Sequence, residues 1–373
     1  DHPGLGTALA DLRRASAATR AAGANELTAA RREVAVLEAR VRQLGREIDG
    51  TRATAAATRP LRDVRARLGR QVLIEYVHSG PRLCAIVVSG RGSRLVELGE
   101  SAEAAELIDH LRFSAERIAR PGTSAASRLA AIASAEEAIE SLRRQLVAPL
   151  GVRANGAVVV PSGALYGIPW GMMFDIPVAT APSATAWLQA GERAHGDGAP
   201  VVVTGPDLTH AEDEAGAISR ITRAKRTSSV AETIALLPRS SLVHFACHAH
   251  PRADSPLFSS LVLGDGELTL YDIERLPRVP ATIVLASCSG AGSLLASGDE
   301  VLSLAGSFLA MGARRVIAPV FTVSDEATSA VMSSMYRSMA GGADPATALL
   351  AAAKSDDPSI AFTARSFSSY GYL

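Results

Sequence analysis

Two short apolar runs, each ending in a reactive side chain, constrain this chain more than any other feature. The first reads Leu242-Val243-His244-Phe245-Ala246-Cys247-His248, and the second Thr282-Ile283-Val284-Leu285-Ala286-Ser287-Cys288. Both are rich in β-branched or bulky residues and give way to small or turn-forming ones. That pattern predicts buried, parallel-type strands that empty into loops. In open α/β sheets the chemistry gathers beyond the carboxyl ends of neighbouring strands. A histidine at one strand end and a cysteine at the next therefore make a candidate dyad. His248 and Cys288 stand 40 residues apart, room for one excursion of loop, strand, turn and helix.

The rest of the chain supplies a frame for those strands. Residues 1–59 hold no convincing strand. Leu27, Ala30, Val34, Leu37, Val41, Leu44 and Ile48 step by three and four alternately, an a/d seam of about three heptads. The seam fits a helix packed on its own neighbour, a helix ending an upstream helical array, or a dimeric coiled coil, and Pro60 closes it. From Gln71 the period becomes two, with Gly80-Pro81 and Gly90/Gly92 turns, which predicts a β-meander. Amphipathic helices are expected over 101–118 and 124–146. An α/β alternation follows, with strands at 157–160, 200–204, 261–263 and 316–320 and a helix over 325–339. The tail from Ala361 to Leu373 alternates like an edge strand. Three regions result: 1–59 helical, 60–150 meander plus helices, and 151–373 an α/β core.

Composition removes several classes of function. At 373 residues, 47% hydrophobic and 20% charged, the chain can bury a sizeable core. Formal net charge is +0, with no basic block, which argues against nucleic acid or an anionic membrane as the principal partner. Lys225 and Lys354 are the only lysines, and with the abundant alanine this reads as a GC-rich bacterial genome. Cys84, Cys247 and Cys288 are odd in number and widely spaced, so a reducing cytoplasm is expected. No apolar run nears the ~18 residues of a membrane span.

A cysteine nucleophile needs a nearby acid/base group and donors for the developing oxyanion. The small residues Ala249 and Ser287-Cys288-Ser289-Gly290 would let a peptide backbone approach, with main-chain N–H groups as donors. In such a site His248 need not pre-ionise the thiol; its chief task is to protonate the leaving amine. Other readings stand beside this one. Cys288 fits a small buried hydrophobe and His248 a satisfied core histidine. Cys247 is a rival nucleophile, although strand alternation aims it away from His248 and into the core. His244, Cys247, His248 and His250 cluster within seven positions, but their spacing is not that of paired zinc ligands. No metal or cofactor is therefore expected. Gly290-Ala291-Gly292 lacks the lysine of a phosphate loop, and no Gly-x-Ser-x-Gly elbow occurs.

The order of motifs resembles the CHAT family, caspase-like cysteine peptidases of the separase branch that are often joined to tetratricopeptide repeats. Val243 to His248 with Pro256 to Leu263 is similar to its histidine motif. Leu285 to Gly290, Gly298-Asp299-Glu300-Val301, Phe308 to Ala313 and Val316-Ile317-Ala318 continue in the family's order. Upstream, Val159 to Gly163, Ile168-Pro169-Trp170 and Ala181 to Thr185 resemble its early core. The resemblance spans roughly 61–373. It implies a three-layer α/β caspase–hemoglobinase fold with a mostly parallel central sheet, and His248 and Cys288 as the dyad. It also implies an oxyanion hole from the backbone N–H groups of Ala249 and Cys288. Asp325, in the loop after the last core strand, would form the base of an S1 pocket for Arg or Lys. A carboxylate at a helix N-terminus accounts for Asp325 equally well.

Two positions depart from the family pattern. Ala249 stands where Gly is usual, so its methyl group could narrow the hole or forbid a positive φ. Phe321-Thr322 stands where a Leu-Trp pair is usual. The expectation is a cytoplasmic cysteine endopeptidase acting on a protein substrate, activated by a partner or signal, with residues 1–59 recognising that partner or relaying the signal, and with no nucleic acid or membrane bound directly. The competing expectation is a catalytically inert scaffold of the same fold, with Ala249 as its chief support.

Overall fold

The β-branched runs assemble into one sheet, eleven strands wide among the described residues. A computed structural model of the chain describes residues 58–193, 196–250, 256–286 and 304–373, together with helical positions scattered between 7 and 41. The chain divides into two units, 1–57 and 58–373. In the first, Val34 and Val41 are buried while Ala30 and Leu37 are half-buried, so the heptad stripe is the covered one. Leu27, Leu44 and Ile48 lie outside the described residues. Ala8, Leu12 and Ala15, also stepping by four and three, form a second buried helical stripe.

In the second unit α1 (Leu61–Leu68) precedes β1 (Val72–Ser79), β2 (Arg82–Ser89) and β3 (Gly92–Glu100), and α2 (Ser101–Ala119) and α3 (Ala125–Leu142) follow. Next come β4 (Ala157–Val160), β5 (Val178–Thr180), α4 (Ala184–Glu192), β6 (Val201–Thr204), α5 (Ala211–Thr222), β7 (Lys225–Thr227) and α6 (Val230–Leu236). The two runs that open the sequence argument fall on β8 (Leu242–Ala246) and β12 (Thr282–Leu285). Between them lie β9 (Ala249–His250), β10 (Ser260–Leu263), β11 (Gly266–Thr269) and α7 (Leu270–Glu274). The chain ends with α8 (Leu304–Met311), β13 (Arg315–Pro319), α9 (Asp325–Ala340), α10 (Pro345–Ala352), α11 (Pro358–Ser366) and β14 (Phe367–Gly371).

Strand order is β3-β2-β1-β4-β5-β14-β13-β12-β8-β6-β7, while β11-β10-β9 form a separate small sheet. Most neighbours in the large sheet are parallel; the exceptions are β1/β2, β2/β3 and β13/β14. The sheet is thus two parallel blocks of opposite direction that meet at β13 and β14, with the antiparallel pair β2 and β3 added beside β1 at one edge. Period-two alternation builds a layer on each face. On one face Val203, Phe245, Leu285 and Val316 pack with Leu304 and Phe308 of α8. On the other Val202, Val284 and Ile317 pack with Ala215 and Ile218 of α5 and with Val331 and Met332 of α9. Each such fully buried aliphatic contributes roughly 1.5–3 kcal/mol.

The C-terminal tail corrects the sequence reading. Asp357 accepts from the N–H groups of Ser359 and Ile360, and Pro358 begins a helix that runs to Ser366. Only Phe367–Gly371 is strand. It lies between β5 and β13 with every residue buried, so it is central rather than an edge. Ser368 and Ser369 give it the polar character of an edge, yet both are buried.

Candidate active site

β6, β8 and β12 run parallel and side by side, with Val201 beside Val243, Leu242 beside Thr282 and Phe245 beside Leu285. Their carboxyl ends share one edge of the sheet. The Ala286 N–H still donates to the Phe245 carbonyl at 3.0 Å, so pairing continues to the last described residue after β12. Beyond β8 come Cys247 and then His248, which is half-buried.

His248 Nε2 lies 3.3 Å from the main-chain oxygen of Asp207, a long hydrogen bond. A carbonyl can only accept, so Nε2 carries the hydrogen. The neutral ring then presents an unprotonated Nδ1. Asp207 belongs to the loop between β6 and α5, with a left-handed φ of 62° that Asp tolerates better than most residues. Gly205 begins the loop, and its N–H donates to the Ala246 carbonyl at 3.0 Å. A Cβ at Gly205 would stand 2.2 Å from the Val262 carbonyl oxygen and 2.6 Å from Cys247 Cβ, so only glycine fits this close approach. The sequence pattern marks only the end of the 200–204 strand here and passes over Asp207, whose contribution comes from its backbone rather than its side chain.

Cys288 lies outside the described residues, as do Ser289, the Gly290-Ala291-Gly292 run, Asp299 and Glu300. Ala249 is described. It is buried in β9 opposite Leu261. Asp207 and Arg223 are the only non-glycine residues with positive φ among those described, so the Ala249 methyl group imposes no backbone strain.

His244 differs from His248 in its full burial and in having both ring nitrogens engaged. Its Nε2 donates to Glu214 Oε1 at 2.7 Å, and its Nδ1 is 3.2 Å from the Tyr336 hydroxyl. All three residues are buried. Burial, with the Glu214 charge adding to it, holds the Tyr336 phenol well above its ordinary range. The trio ties β8 to α5 and α9. Glu214 and Tyr336 escaped sequence reasoning because each sits in an ordinary amphipathic helix. His250 is exposed, with Nδ1 3.1 Å from Glu267 Oε1. The histidines do not converge, and no metal-binding group of three or more occurs among the described residues. Cys247 is fully buried among the apolar side chains of Phe245 and Leu261, and burial pushes its thiol up to about 12. A thiol so held is a poor nucleophile.

Asp325 begins α9 and is half-buried. Its Oδ2 accepts from the His210 N–H at 2.8 Å, at the head of α5.

Residues 136–356 match the family model of the CHAT domain. The chain belongs to the CHAT domain family. Two crystal structures of the Saccharomyces cerevisiae separase–securin complex share its fold, with TM-scores of 0.64 and 0.62 at 9% and 8% identity. Each match covers 84% of this chain, but the chain spans only 30% and 31% of the separase chain. The Arg-specific cysteine proteinase gingipain R is a more distant neighbour, with a TM-score of 0.43 at 10% identity, covering 85% of this chain and 79% of that one. No curated protein matches the sequence. The architecture is therefore the caspase-like one of a CHAT domain. Among the described residues of this CHAT protein, no helix is long and apolar enough to cross a membrane.

Proposed function

We propose that this CHAT protein is a cysteine endopeptidase in which Cys288 attacks the scissile carbonyl and His248 serves as acid/base. One observation carries the reading: residue n of β8 lies beside residue n + 40 of β12, and His248 and Cys288 differ by that same forty. On this reading, thiol and imidazole meet level with one another beyond the carboxyl ends of β8 and β12. Nδ1 of His248, left unprotonated by the Asp207 contact, takes the thiol proton as sulfur attacks. It returns that proton to the leaving amine as the acyl-enzyme forms. Water, deprotonated by the same nitrogen, then attacks the acyl carbon, and that proton passes to the departing sulfur as the acid product leaves. The N–H groups of Ala249 and Cys288 would hold the oxyanion, and the unstrained Ala249 backbone is compatible with that task. A protein partner acting through residues 1–59 would control activity, in keeping with the protein complex in which the separase neighbour was crystallised.

Incubating the wild-type protein and Cys288→Ala with the products of neighbouring genes tests the reading. A cleavage present with wild type and absent with the variant supports it. Identical patterns, with Cys288 no more reactive than the other thiols, would favour an inert scaffold.

A further inference from the structure

The loop from Gly205 to His210 is fastened at both ends and touches His248 in between. At its start the Gly205 N–H donates to the Ala246 carbonyl at 3.0 Å, and at its finish the His210 N–H donates to Asp325 Oδ2 at 2.8 Å. Pro206, Asp207 and Thr209 between those ends are exposed, so packing contributes little to holding them. Yet the Asp207 carbonyl is the group that fixes the hydrogen on His248 Nε2. The helices on either side of the clamp are themselves anchored to β8, α5 through Glu214 and α9 through Tyr336, both on the buried His244 ring. Asp325 therefore projects from an anchored helix and holds the far end of a loop whose middle orients the imidazole.

We propose that Asp325 is a positioning residue: by accepting from the His210 N–H it holds the 205–210 loop so that the Asp207 carbonyl keeps His248 in its Nε2–H tautomer. The inference rests on the dyad reading for its catalytic consequence, though not for the tautomer itself. It differs from a basic-residue pocket in what it asks of Asp325. Positioning needs an acceptor oxygen, whereas recognition of an Arg or Lys side chain needs a negative charge.

Two substitutions separate those demands. Asp325→Asn keeps an acceptor and removes the charge. Asp325→Ser retains a hydroxyl for the helix start but is too short to reach His210. Nitrogen-15 spectra of His248 give the direct readout, and peptide cleavage, or Cys288 alkylation by iodoacetamide where no substrate is in hand, gives the functional one. The expected result is an Nε2–H signature in wild type and Asp325→Asn, with kcat within about threefold. Asp325→Ser should show mixed tautomers and a kcat roughly tenfold to a hundredfold lower for any P1 residue, with KM little changed. A wild-type ring protonated on Nδ1 instead would overturn the proposal whether or not the variants fold. So would equal losses in both variants confined to KM for Arg and Lys substrates, which would assign Asp325 to the substrate pocket. If Cys288 alkylation in wild type ignores His248→Ala, the peptidase reading fails while the tautomer result still decides the positioning claim.

Discussion

Two histidines four residues apart, one on β8 and one just past its end, meet opposite fates. His244 is wholly buried with both ring nitrogens engaged, one on Glu214 and one on Tyr336. His248 lies past the strand end, half-buried, with Nε2 on a carbonyl. Saturating both nitrogens makes a histidine a structural tie between β8, α5 and α9. Engaging one nitrogen and presenting the other makes it available for proton transfer. The same contrast holds for sulfur: Cys247, one residue from His248, is sealed in apolar contacts and held neutral. Position relative to the strand end, more than residue type, separates scaffold from chemistry here.

The contrast breaks first if His248 proves dispensable. His248→Ala should lower turnover by roughly a hundredfold to ten-thousandfold while changing stability by no more than about 0.5 kcal/mol in urea unfolding, since the ring is half-exposed. His244→Ala should do the reverse. Removing one member of a buried, hydrogen-bonded pair strands Glu214 and should cost about 3–5 kcal/mol of unfolding free energy. A stable His244→Ala variant would show that the trio is not the tie its geometry describes.

Gly205→Ala is smaller in scale and links the two behaviours. The added methyl group meets backbone at Val262, so about 1–3 kcal/mol should be lost. Alkylation of Cys288 should slow as the loop shifts away from His248. Circular dichroism melts and mapped alkylation read both effects.

The mildest effect is expected from pH. Cys247, Tyr76, Tyr336 and Tyr370 all have ionisations raised by burial, Cys247 to about 12. For a raised group the stabilisation is complete below its unfolded-state value and is lost as pH climbs toward the folded one. Unfolding free energy should therefore hold up to about pH 9 and decline above it, by about 1.4 kcal/mol per pH unit for each group titrating only in the unfolded chain. Denaturant titrations between pH 8 and 11 check the sign. Cys247→Ala should flatten the first part of the decline without altering turnover.

Much of this was legible before the structure. The sequence marks β4 to the residue, and β8, β12 and β13 nearly so, because buried parallel strands announce themselves as short β-branched runs. The antiparallel junction of β13 with β14 was not legible, since nothing in Phe367-Ser368-Ser369-Tyr370 marks a central strand. β5 and β7, three residues each, were too short to show a period. At the candidate site the sequence pointed to His248 through its place at a strand end. It could not point to Asp207, which acts through a carbonyl that every residue possesses. Nor could it show which partner would take the Asp325 carboxylate, because that contact joins positions 115 residues apart.

The account turns on the pairing of His248 with Cys288, and mapped iodoacetamide labelling of native wild type and His248→Ala tests it most directly. Cys288 should label faster than Cys84 and Cys247 in wild type, and its advantage should disappear in His248→Ala. Cys288 labelling that matches the buried thiols, or that is unchanged without His248, would contradict it.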